Sequence, residues 1–111
     1  MKRRFRIIKT FDDKYSVQHQ DYGFLHHTSW YTESIQLPNE NFDEEKCRDF
    51  YANNPYYNGY NMENPYSKFV YSTSAELKYA TEKFNELVEA YKLKLKREEY
   101  ENNPPVIDQW P

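Results

Sequence analysis

The chain has 111 residues and a formal net charge of −3, with 38 % hydrophobic and 30 % charged residues, which suits one soluble domain. Leu, Ile, Val and Phe number only 21, but 12 Tyr, 7 Phe and 2 Trp bring aromatics to 19 %, so a modest, aromatic-heavy core is expected. A lone Cys47 excludes an intrachain disulfide and points to a cytoplasmic setting, the two glycines (Gly23, Gly59) exclude phosphate-cradling glycine loops, and no apolar run approaches the roughly 18–20 residues that cross a bilayer.

The N-terminus, Met1-Lys2-Arg3-Arg4-Phe5-Arg6-Ile7-Ile8, is basic but lacks the apolar stretch of a signal peptide behind it. Residues 1–14 sum to +4, residues 33–64 to −5. Phe5 to Thr10 reads as a strand, the Asp12-Asp13 segment as a turn, and Tyr15 to His19 as the partner strand of a hairpin. A third strand is expected at about Ser29–Leu37, where Tyr31, Ile35 and Leu37 share one parity and Glu33 interrupts it.

Pro38 closes that run. Asn41-Phe42-Asp43-Glu44 reads as a capping box for a short helix to about Ala52, its apolar side being Phe42, Cys47, Phe50 and Tyr51. Residues 53–66 hold five Asn, two Pro, one Gly and four Tyr, and read as an irregular loop turning at Asn58-Gly59. A short strand at Lys68–Ser72 precedes a second capping box, Thr73 to Glu76. Leu77, Ala80, Phe84, Leu87, Val88, Tyr91 and Leu95 then recur at helical spacing, and Lys92, Lys94, Lys96 and Arg97 fall where the last turns of the helix are expected. The helix should stop before Asn102-Asn103-Pro104, and its part from Tyr91 onward should outrun a small sheet.

The order β-β-β-α-β-α predicts an α+β fold: a small antiparallel sheet of three to four strands packed on one long C-terminal amphipathic helix. Residues 1–103 form the domain and 104–111 a tail. The adjacent His26-His27, with His19 and Cys47, match no compact metal-ligand spacing, so no metal or other cofactor is expected. Cys47 sits mid-helix behind acids, the setting of a small packed side chain rather than a nucleophile, and a helix cap accounts for Asp43-Glu44-Glu45. No enzyme is expected.

Tyr brings large contact area with few rotatable bonds, and Asn brings adaptable hydrogen bonding. Tyr56, Tyr57, Asn58, Tyr60 and Tyr66, with Trp30 and Tyr31 as neighbours, are therefore an expected contact set for another protein, the alternative being that two or three of the loop tyrosines fold back over the sheet as a lid on a thin core. A second reading is a structural subunit that forms a homo-oligomer through Tyr91 and Leu95. A third is nucleic-acid binding through Lys2, Arg3, Arg4 and Arg6, beside Phe5. In composition the chain resembles the short, Asn- and Tyr-rich single-domain proteins of AT-rich bacteriophages. That resemblance, which covers no motif, implies a small protein docking on a host or virion component, such as an inhibitor of a host defence or regulatory protein.

Overall fold

The computed structural model describes residues 2–53 and 64–111. In chain order the elements are β1 (Lys2–Lys9), β2 (Tyr15–Gly23), β3 (His26–His27), β4 (Tyr31–Thr32), β5 (Ile35–Pro38), α1 (Glu44–Asn53), β6 (Phe69–Ser72) and α2 (Leu77–Asn102). Antiparallel strands and a long C-terminal helix make the fold α+β, as the sequence pattern predicts.

β1 and β2 form the expected hairpin, running from Lys2↔Tyr22 to Lys9↔Tyr15. Its turn closes through Thr10 and Lys14: the Lys14 N–H donates to the Thr10 hydroxyl (3.1 Å), and the Thr10 N–H to the Lys14 carbonyl (2.8 Å). Asp13 takes a left-handed φ of 62°, which Asp tolerates better than most residues. Both strands begin or end three to four residues beyond the predicted limits, as the pairs Lys2↔Tyr22, Arg3↔Asp21 and Arg4↔Gln20 extend the ladder.

The expected third strand is two strands in two sheets. β4 pairs with β2, whereas β5 pairs with β6 in a separate two-stranded sheet. The reason lies in Tyr15. Continuing the β4 register would set Ile35 opposite Tyr15, but the Tyr15 N–H and carbonyl are already bonded to Ala75, both at 2.9 Å. The chain therefore changes partner after Glu33, and Ile35 turns into the core instead.

That bridge also moves the start of α2. With Ala75 held extended against β2, residues 73–75 cannot form a first turn, so Thr73 is not the N-cap. Its carbonyl instead accepts from the Ser16 hydroxyl, and Glu76 takes the cap position without a side-chain cap bond. In α1 the cap falls on Asp43 rather than Asn41: Asp43 Oδ1 accepts the Lys46 N–H at 3.0 Å, while Asn41 is tied back to Asn39. α2 runs one residue past the expected stop, to Asn102, and its last turn holds no basic residue, since Lys92 to Arg97 lie more than a turn earlier.

Val17, Ile35, Ala75 and Ala80 are the buried hydrophobic residues among those described, with Ile7, Tyr15, Leu37, Tyr79, Phe84 and Leu87 packed around them. The odd-numbered side of the β1–β2 hairpin faces α2, and Phe5 meets the Tyr91 ring edge-on at 5.8 Å. Tyr91 therefore packs on the sheet, contrary to the expectation that the helix leaves it there; β1 reaches Lys2 rather than Phe5 and so carries the sheet further. α1 buries no residue, so its expected apolar side adds little to the core. The accessible area of 9562 Å² exceeds the roughly 6,600 Å² expected of a compact monomer of this mass.

With so few buried side chains, each carries much of the stability. Ile35→Ala is expected to cost about 2–5 kcal/mol, read as a lower urea midpoint, while Phe11→Ser at an exposed turn should shift it by at most about 0.5 kcal/mol.

Candidate functional site

Alternation along β1 and β2 sorts their polar side chains onto two faces of opposite character. On the helix side Arg3 lies opposite Asp21, and the pair is bidentate: Nε to Oδ1 at 2.6 Å and an Nη to Oδ2 at 3.2 Å. Hydrogen bonding to Arg3 holds the Asp21 carboxyl below its ordinary value of 3.8, and the same bond raises Arg3. His19 Nδ1 contacts the Glu33 carboxylate on this side, and the Arg3 N–H donates to the Tyr91 hydroxyl at 3.0 Å.

On the open side Arg4 lies opposite Gln20 and Arg6 opposite Gln18. Arg4 Nε reaches Gln20 Oε1 at 2.8 Å, and Arg6 Nε reaches Gln18 Oε1 at 2.8 Å. Trp30 stacks over both guanidinium groups, 3.8 Å from Arg6 and 5.3 Å from Arg4, and Arg4 also lies 5.2 Å from the Tyr22 ring. Lys2 shares this face. Of the predicted basic set, then, Lys2, Arg4 and Arg6 are brought together and Arg3 is turned to the other side. Trp30 and Tyr31 likewise part company, because Tyr31 pairs with His19 and sits against its ring at 5.0 Å, exposed on the helix side.

The turn between β2 and β3 escaped the sequence reading. Gly23↔His26 is the last pair, so Phe24 and Leu25 alone make the turn. Both are exposed, 92 % and 84 %, and Leu25 has a φ of 63°. A left-handed non-glycine residue costs roughly 1–2 kcal/mol, and hairpin turns favour Asn-Gly or Asp-Gly for that reason. Phe-Leu is poor turn chemistry, and so gave no turn signal.

Tyr56, Tyr57, Asn58 and Tyr60 lie outside the described residues. Beyond them, Asn64 is buried and donates from its amide to the Cys47 carbonyl (2.9 Å) and Sγ (3.1 Å), which makes Cys47 a packing partner of the loop end. Tyr66 is half-buried with the Lys46 ammonium 5.5 Å from its ring, beside a depression of about 300 Å³ lined by Phe42, Asp43 and Lys46. Leu95 is exposed past the sheet, as are Leu93 and Tyr100. His26 and His27 are exposed on β3, and no three His, Cys, Asp or Glu among the described residues group to hold a metal. No described helix is long and apolar enough to cross a membrane.

Comparisons of the chain with protein-family models, with curated proteins and with solved structures give no match.

Because the Asp21 carboxyl is depressed in the fold, its pairing stabilises above the ordinary value near 3.8 and is lost as pH falls through the lower folded value. Asp21→Asn should therefore lower the denaturant midpoint at pH 7 and flatten its fall between about pH 4 and pH 2.

Proposed function

We propose that the protein is a non-enzymatic docking module that binds another protein, with Phe24 and Leu25 at the β2–β3 turn as the part that seats in the partner. One observation carries this reading: two adjacent large apolar side chains stand in water at a hairpin tip, one of them in a strained backbone conformation. Neither property helps the fold, and strain of this kind is characteristically kept where it positions a contact. An aromatic or aliphatic side chain seated in a pocket is one form of interface anchor. The Tyr/Asn composition of residues 53–66 supports the same reading through adaptable contact area. In its concrete form the module acts in the cytoplasm and blocks a regulatory or defence protein of a bacterial host.

A second reading, self-assembly through the distal part of α2, is favoured by the exposure of Leu93, Leu95 and Tyr100 beyond the sheet. Tyr91 is occupied within its own chain by Phe5 and Arg3, which leaves Leu95 as the residue to test.

Leu25→Gly separates binding from folding. Glycine accepts the left-handed conformation, so the variant should be more stable by about 0.5–1 kcal/mol in urea titration. It should at the same time lose the protein that the wild type retains from a lysate of its own cell. Retention of the same protein by Leu25→Gly and Phe24→Ser would refute the proposal. For the second reading, light scattering should show an oligomer that Leu95→Lys reduces to monomer; a wild-type monomer at high concentration would exclude it.

A further inference from the structure

Separately from protein docking, we propose that the open face of the β1–β2 sheet binds a single strand of nucleic acid, with Lys2, Arg4 and Arg6 on its phosphates and Trp30 under a base. The two faces of the hairpin treat arginine differently. On the helix side Arg3 meets a carboxylate and its charge is cancelled. On the open side Arg4 and Arg6 each meet the amide oxygen of a Gln directly across the strand pair. An amide oxygen orients a guanidinium by a hydrogen bond, but unlike a carboxylate it leaves the positive charge intact.

Stacking on Trp30 immobilises both groups further. The register puts no Asp or Glu on this face among the described residues of β1, β2, β3 and β4; Asp21 and Glu33 both fall on the other side. A chain of net charge −3 thus holds a face with three cations that no carboxylate on the described strands of this face neutralises. Such segregation is selective for a polyanion.

Spacing and stacking choose among polyanions. Alternate residues of a strand lie about 7 Å apart, so Lys2, Arg4 and Arg6 form a straight row that can follow successive phosphates of an extended single strand. Their side chains spread over aromatic and guanidinium planes, on which unpaired bases stack. A duplex hides those base faces, and an acidic peptide has none.

The test is fluorescence anisotropy of a labelled oligo-thymidylate of about twelve nucleotides, read across a salt series. Three phosphate contacts predict that log K falls with log salt at a slope near −2. In Arg4→Gln/Arg6→Gln the slope should shrink to about −0.7 and affinity should fall at least tenfold, whereas Arg3→Gln should keep the wild-type slope. Should the double variant fail to fold by circular dichroism, Arg6→Gln alone, at an exposed position, should bring the slope to about −1.4. In a Trp110→Phe background, Trp30 emission should be quenched as the strand binds. Absence of saturable binding, an unchanged slope in the charge variants, or equal binding of a duplex or of poly-glutamate would each overturn the proposal.

Discussion

Two hydrogen bonds between Tyr15 and Ala75 organise the rest of the molecule. They occupy the edge of β2 at the position β4 would next use, so the main sheet stops there and β5 leaves to pair with β6. They hold residues 73–75 extended, which sets the first turn of α2 at Leu77. They also bring Ala75 onto Val17 and Ile35, with Ala80 one turn into the helix closing the same cluster. A small side chain at residue 75 is what such a close approach of helix entry and strand requires. The core is therefore located less by hydrophobic bulk than by a backbone junction, around which larger rings such as Tyr15 and Phe84 pack.

The junction has a consequence for the surface. By tying α2 to one side of the hairpin it commits the odd-numbered residues to the interior side, where both acids of that face find partners, Asp21 with Arg3 and Glu33 with His19. On the even-numbered side Arg4 and Arg6 stay exposed, with the amides of Gln20 and Gln18 as their cross-strand partners. A salt bridge half open to water contributes little, so Arg3–Asp21 matters mainly as the means by which one face is made electrically quiet. The contrast between Asp and Gln across otherwise similar pairs is what gives the sheet its polarity.

What could be read from the sequence was what is local. Alternation over Phe5–His19 and the 3.6-residue period of Leu77 to Leu95 identify the hairpin and the helix without help from the rest of the chain. The division of the third strand could not be read, because it depends on a contact between residues 15 and 75. Starting β1 at Phe5 left Lys2, Arg3 and Arg4 as an undivided basic arm; two-residue periodicity carried back to Lys2 would have separated Arg3 from Arg4 and Arg6. The same short start made Tyr91 look unsupported. At α1, Asn41 and Asp43 both carry cap chemistry, and the choice was made by Asn39, whose side-chain oxygen takes the Asn41 N–H while its amide holds the Pro65 and Ser67 carbonyls.

The turn at Phe24-Leu25 is illegible for a different reason: it breaks the rules that reading relies on. Its backbone conformation is one that Leu adopts at a cost, and its side chains are ones that water solvates poorly. In a domain with a large core such a cost would pass unnoticed. Here the buried apolar residues described are four, two of them alanines, and a loss of one or two kcal/mol is a substantial fraction of any stability they supply. Single substitutions to Gly or to a polar residue would relieve the strain or the exposure, and both are common in turns. Phe-Leu at this place is thus a stability deficit that nothing within the described fold offsets, which is why the proposed docking role is assigned to it.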